Sequence, residues 1–147
     1  MLRRKKRGPV RSKKKTVDGI EFKSGLEAYM YTALKNAGIK AKYEGISYEL
    51  IPSFDFKNKS YEKQSNGKGE YKDRGGTRIR KITYTPDFTG RGFIIECKGR
   101  PNESFPIRWK LFKKYVSERL RGVTLYKPQN QKQCDETVNL ILGKRKT

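Results

Sequence analysis

The sequence predicts an α/β domain, a mixed central β-sheet flanked by helices, with its elements in the order helix, strand, strand, strand, helix, strand, helix. Three observations predict it. Apolar residues recur at helical spacing in three stretches, near residues 24–37, 104–121 and 131–142. Two apolar runs, 78–88 and 92–99, are joined by the tight turn Thr89-Gly90-Arg91-Gly92, as in a hairpin. The second run is followed by a helix and another short apolar strand, and such a strand-helix-strand unit beside a hairpin makes the sheet mixed.

At 147 residues the chain has the length of one domain. Lys and Arg number 36 against 15 Asp and Glu, a net charge of +21, so the partner is a polyanion and nucleic acid leads. An anionic membrane surface is the alternative. It is disfavoured because no apolar stretch approaches the roughly 20 residues that span a bilayer, and no basic helix has a clean apolar face. The N-terminus has no apolar signal-peptide region. Cys97 and Cys134 form no C-x-x-C unit, which supports neither a zinc ribbon nor a disulfide framework and fits a reducing, cytoplasmic setting. Histidine is absent, which removes Ser-His and Cys-His nucleophile pairs and histidine-ligated zinc. The chemistry left runs on carboxylates, lysine and a hard, oxygen-seeking cation.

Met1 to Lys15 hold nine basic residues and no acid, a composition that repels itself and buries no core. Residues 1–18 are therefore expected to be a flexible basic arm, with residues 19–143 as the domain and 144–147 as a basic tail. Ser24-Gly25-Leu26-Glu27 opens the first helix, which runs to about Ala37 with Leu26, Met30, Ala33, Leu34 and Ala37 on one face and Gly38 beyond its end. Lys40 to Ile51 reads as a strand whose apolar phase shifts near Gly45, as at a bulge, and Pro52 ends it. From about 54 to 78 the chain is polar and basic, an insertion in which Phe56, Tyr61 and Tyr71 are interleaved with lysines. It is either a hairpin that grips nucleic acid by charge and stacking or a solvated loop. Two strands follow, Arg78 to Phe88 and Gly92 to Gly99. The helix from Ser104 to about Arg121 should turn Ile107, Leu111, Phe112, Tyr115 and Leu120 inward. Val123 to Tyr126 is a short buried strand. The last helix, Gln131 to Leu142, carries Cys134, Val138 and Ile141 on one stripe and ends at Gly143, which makes Cys134 a core residue.

Acids and a base converge in one place. In an extended strand Ile94, Glu96 and Lys98 share one side while Phe93, Ile95 and Cys97 share the other. The preceding turn folds Asp87 back to the same end of the sheet. Two carboxylates and an ammonium there suit Mg²⁺ and a phosphodiester. Each has a plainer reading: Asp87 as a turn residue after Pro86, Glu96 with Lys98 as a surface ion pair. Against the ion pair, Phe93-Ile94-Ile95 is apolar on both faces, as in a covered central strand.

Pro86-Asp87 and, nine positions on, Glu96-Cys97-Lys98 resemble the catalytic signature of the PD-(D/E)xK nuclease superfamily, whose cores run helix, three strands, helix, strand. More of the chain agrees: Phe22-Lys23-Ser24-Gly25-Leu26-Glu27, Gly38-Ile39-Lys40 leading to Tyr43-Glu44 and Ile51-Pro52, Tyr84-Thr85-Pro86-Asp87-Phe88, and Glu96-Cys97-Lys98-Gly99. In this order the blocks resemble the phage endonuclease I family, Mg²⁺-dependent Holliday-junction resolvases that work as homodimers. The resemblance covers Phe22 to about Tyr126. It implies a restriction-endonuclease-like core, catalytic roles for Glu27, Asp87, Glu96 and Lys98, and metal ligation by the three acids, with the Cys97 backbone carbonyl as a further ligand. Mg²⁺ is the implied ion, with Mn²⁺ as the alternative. The implied setting is the cytoplasm of a phage's bacterial host.

The insertion at 54–78 is longer than the family's usual connection, and the turn before Glu96 is one residue shorter. Glu27 also has a rival role, because Ser24-x-x-Glu27 is a capping box. The expected phosphate contacts are Arg3, Arg4, Lys5, Lys6, Arg7, Arg11, Lys13, Lys14, Lys15 and Lys23, together with the insertion. Two other functions remain open: a non-catalytic, highly basic nucleic-acid-binding or packaging protein, and a related nuclease acting on duplex or mismatched DNA.

Overall fold

A computed structural model describes residues 13–99, 102 and 104–145, and these form a mixed α/β structure with three helices and several small sheets. In chain order the elements are β1 (Lys15–Val17), β2 (Ile20–Phe22), α1 (Gly25–Asn36), β3 (Ala41–Tyr43), β4 (Tyr48–Ile51), β5 (Phe54–Phe56), β6 (Tyr61–Glu62), β7 (Lys72–Asp73), β8 (Thr77–Ile79), β9 (Ile82–Tyr84), β10 (Phe88–Gly90), β11 (Phe93–Ile95), α2 (Phe105–Arg119), β12 (Thr124–Tyr126) and α3 (Gln131–Arg145). The arm residues Arg3, Arg4, Lys5, Lys6, Arg7 and Arg11 lie outside the described residues.

Four strands make the central sheet, in the order β12-β11-β10-β3. The tight turn fixes its middle: Arg91 and Gly92 join β10 to β11 with Gly92 at φ 82°, a backbone that glycine adopts without strain. A helical crossover through α2 then brings β12 back parallel to β11. Strand alternation sorts the side chains as expected. Phe93, Ile95 and Cys97 pack with Met30 and Leu34 of α1 and with Cys134, Val138 and Ile141 of α3. Ile94 packs instead with Tyr84 and with Phe105, Trp109, Phe112 and Val116 of α2. The sheet is thus covered on both faces, which is why β11 is apolar throughout. Each fully buried large side chain in these layers, Phe22, Phe88 and Phe112 among them, contributes about 1.5–3 kcal/mol.

Gly90 is where the sheet packs most closely. A Cβ placed there would run into the buried Phe93 ring and lie 2.9 Å from the Lys40 carbonyl oxygen. Gly90→Ala should therefore destabilise the fold by about 1–3 kcal/mol, read as a lowered midpoint in urea denaturation. An unchanged midpoint would contradict this packing.

Several boundaries differ from the sequence reading. Lys15 to Val17, placed in the arm, forms a hairpin with β2. Its turn, Asp18-Gly19, has both φ values positive (52° and 75°), the geometry that favours Asp-Gly in two-residue hairpins. The expected strand from Lys40 to Ile51 is broken: Glu44 has φ 48°, β3 pairs with β10 and β4 pairs with β9, which accounts for the phase shift. Helix α2 is buried along Phe105, Trp109, Phe112 and Val116, while Ile107 is 67% exposed; the inward stripe begins two residues earlier than expected. Helix α3 runs through Gly143 to Arg145, since one helical glycine costs only about 1 kcal/mol and Lys144 and Arg145 suit a helix C-terminus. Cys134 is fully buried and both cysteines are free. Among the described residues no helix is long and apolar enough to cross a membrane.

The insertion is an ordered two-stranded ribbon rather than a loop. It leaves the body through β4 and β9 and continues outward as β5 with β8 and β6 with β7, all antiparallel.

Candidate active site

Glu27, Asp87 and Glu96 are each only 7% exposed, although they are acids in a strongly basic chain. Three different elements deliver them. Phe88 pairs with Ile95 in the β10–β11 register, so one step further Asp87 stands opposite Glu96. The Cys97 backbone N–H donates to Asp87 Oδ2 at 2.8 Å, and the Glu44 N–H donates to the Asp87 carbonyl at 2.8 Å. Beyond the end of β11 the parallel ladder continues, with Glu96 N–H to the Tyr126 carbonyl at 2.9 Å and Lys98 N–H to the Pro128 carbonyl at 3.1 Å. This holds the Glu96-Cys97-Lys98 backbone straight. The Tyr84 hydroxyl donates to Glu96 Oε2 at 2.7 Å.

Glu27 enters from the first turn of α1. Half of the capping box is present: Ser24 Oγ accepts the Glu27 N–H at 3.2 Å. The reciprocal half is displaced, because Glu27 Oε2 accepts instead from the Lys23 N–H at 3.1 Å and from the Tyr43 hydroxyl at 2.7 Å. The carboxylate therefore turns towards β3 and the neighbouring acids.

The acids act on one another electrostatically. Burial, then the charges of Glu96 and Glu27, push the Asp87 carboxyl up to about 8, against the opposing Cys97 N–H. Burial also raises Glu96, countered by the Tyr84 hydrogen bond and the Lys98 charge. Burial and the adjacent Glu96 hold the Tyr84 hydroxyl well above its ordinary value, so it remains a donor. Burial and Glu27 do the same for Tyr43. The Cys134 thiol and burial raise the Cys97 thiol far above the usual thiol range, which favours its protonated form.

The Lys98 ammonium lies 4.9 Å from the centre of the Phe105 ring, a cation–π contact that parks it at the start of α2. A cleft of about 1030 Å³ opens in front, lined by Glu27, Cys97 and Lys98 and by Lys13, Lys14, Lys15 and Lys23. Asp87 and Glu96 are buried and do not line it. Lys13, Lys14 and Lys15 are exposed. Lys23 pairs with Glu44 at 2.8 Å, which raises its pKa, and stays mostly exposed.

The structure thus gathers Glu27, Asp87, Glu96 and Lys98 at one end of the sheet, with the four described lysines of the predicted contact set at the cleft. Sequence reasoning gave no role to Tyr43, Glu44 or Tyr84. All three stand in the motif blocks, but only the register of β3 and β9 aims them at the acids.

Fold and site together define a mixed α/β protein with buried, mutually repelling acids and a lysine beside a basic cleft. A family profile described as "Protein of unknown function (DUF1064)" matches residues 7–129, and the chain belongs to that family. No curated protein and no solved structure matches the chain.

Proposed function

We propose that this chain is a divalent-metal-dependent endonuclease that hydrolyses phosphodiesters in branched DNA, resolving four-way junctions as a homodimer. The observation that carries the reading is the buried Asp87–Glu96 pair, with Lys98 at the end of the central strand, beside a lysine-lined cleft. Burying like charges is costly unless a cation or substrate compensates, and a pure phosphate binder gains nothing from them. The arrangement of β3, β10, β11, α2 and β12, with α1 on the opposite face from α2, supports a restriction-endonuclease-like core.

The donor chemistry fits Mg²⁺ or Mn²⁺, since the three carboxylates and the Cys97 carbonyl are all hard oxygens. Among the described residues no three acidic or thiol side chains are drawn together closely enough to cage an ion. Mg²⁺ needs no such cage, because it is commonly bound through one or two carboxylates and keeps several waters. Glu27, Asp87 and Glu96 would hold it, directly or through water, with the Cys97 carbonyl as a further ligand. Bound there, the ion supplies Lewis-acid activation of water and neutralises phosphate charge.

The remaining work belongs to the chain's own groups. Tyr84 fixes Glu96, the Cys97 N–H fixes Asp87, and Lys98 stabilises charge growing on the phosphate oxygens. Lys13, Lys14, Lys15 and Lys23 hold neighbouring phosphates and so read shape more than sequence. In-line attack by water with the 3′-oxygen leaving, as the resemblance to the endonuclease I family implies, would give a 5′-phosphate and a 3′-hydroxyl. A four-way junction offers two equivalent strands, which a C2 dimer with two sites would cut in pairs. Incubation of a labelled junction with Mg²⁺ tests this: paired nicks that a DNA ligase reseals are expected, and unsealable or single-strand cuts contradict it. The +21 charge alone favours a second reading, a non-catalytic nucleic-acid binder, for which the same incubation yields no cuts.

Tyr84→Phe removes the donor to Glu96 Oε2. Steady-state kinetics on junction DNA should show kcat reduced roughly tenfold or more, as for other groups that orient ligating side chains, with KM little changed. A change confined to KM would contradict the positioning role.

A further inference from the structure

We propose that the tip of the β4–β9 ribbon is a stacking platform, made by Tyr61 and Tyr71, for unpaired bases of the DNA strand. This rests on the proposed nuclease reading for the identity of the polymer. The ribbon is braced internally. Between its paired strands the Arg74 N–H donates to the Ser60 carbonyl at 2.7 Å and the Gly76 N–H to that of Asn58 at 3.2 Å. Asp73 Oδ1 accepts the N–H groups of both Ser60 and Gly75 at 2.9 Å. The Arg74 guanidinium donates to the carbonyls of Glu62 and Glu70, at 3.0 and 3.1 Å. Such bracing holds the tip in one shape.

On that frame Tyr61 stands opposite Asp73, which places Tyr71 diagonally across from it on the same face. Their ring centres are 6.3 Å apart and the rings are tilted by 39°. Tyr61 is 57% and Tyr71 71% exposed, so ring surface remains available to a third planar group. Charge selects that group. Between Phe54 and Lys81 stand nine Lys and Arg against four Asp and Glu. Surfaces built to dock proteins are depleted in lysine, whereas aromatic side chains among lysines are the recurring platform for bases whose phosphates are held by charge. Bases inside a duplex are already stacked, so the platform takes those that are not: a bulge, a flap or the open centre of a branch.

The test is binding without turnover. In EDTA, fluorescence anisotropy would follow a fully paired duplex, the same duplex with an unpaired bulge, and a single-stranded oligonucleotide, for wild type, the Tyr61→Ala/Tyr71→Ala variant and the Tyr61→Phe/Tyr71→Phe variant. The alanine variant should lose about tenfold or more in affinity for the bulged and single-stranded DNA. Paired-duplex affinity and the salt dependence should stay as in wild type, and the phenylalanine variant should retain bulge binding. Equal losses on all three DNAs would overturn the proposal, as would no loss on any. Because these measurements omit metal, their failure leaves cleavage untouched, and absent cleavage in Mg²⁺ leaves them standing.

Discussion

Replacing Glu96 by Gln should abolish DNA cleavage while leaving DNA binding largely intact. The substitution keeps the shape and an acceptor oxygen for the Tyr84 hydroxyl, which now bonds Glu96 Oε2 at 2.7 Å. What it removes is one negative charge at the end of β11. If that charge holds a divalent ion, turnover should fall by at least ~100-fold. Affinity depends on the lysines lining the cleft and should change by less than about threefold, with the salt dependence unchanged. Single-turnover cleavage and anisotropy on the same junction check both halves. Preserved turnover would remove Glu96 from the chemistry, and lost binding would show that the substitution disturbs the fold.

Asp87 gives the second large effect, in stability. Its carboxyl is pushed up to about 8 in the folded chain, against an unfolded value of about 3.9. Between these values the folded state retains a proton that the unfolded state has released, so stability falls as pH rises. The penalty is absent below about pH 4 and complete above about pH 8. Burial raises Glu96 in the same direction. Asp87→Asn removes the penalty and leaves an oxygen to accept the Cys97 N–H. In EDTA at pH 8 the variant should melt roughly 5–10 °C above wild type, and the gap should close towards pH 4. Added Mg²⁺ should stabilise wild type more than the variant, since a ligand that binds only the folded state stabilises it. A variant less stable than wild type at pH 8 in EDTA would contradict the assignment of a strained, uncompensated acid.

The parts of the site legible in the sequence are those set by local geometry. The period of two along Phe93 to Lys98 and the length of the turn at Arg91-Gly92 suffice to put Asp87 beside Glu96 and to send Cys97 into the α1–α3 layer. The groups that orient the acids were not legible. Tyr43 and Tyr84 lie 16 and 12 residues from the acids they bond, and only the pairing of strands decides where they point. Glu27 was readable both as a cap and as a site residue; its N–H is capped by Ser24 while its carboxylate leaves the cap for Tyr43. The stripe of α2 was misplaced because Ile107 is more apolar than its neighbours, whereas packing follows the aromatic series Phe105, Trp109, Phe112. Local composition misled at the N-terminal side, where basic residues concealed the Asp18-Gly19 hairpin, and left hairpin and loop undecided beyond Phe54, where the strands pair. In each case strand pairing between distant residues prevailed over local polarity.

The central claim is that buried carboxylates and Lys98 cut DNA with the help of a divalent ion. The most direct measurement incubates a labelled four-way junction and a linear duplex of the same sequence with wild type and with Asp87→Asn, each in Mg²⁺ and in EDTA. Cleavage by wild type in Mg²⁺, concentrated on the junction and absent both in EDTA and with Asp87→Asn, is the predicted result. Cleavage that persists in EDTA or with Asp87→Asn, or binding without any cleavage in Mg²⁺ or Mn²⁺, would contradict it.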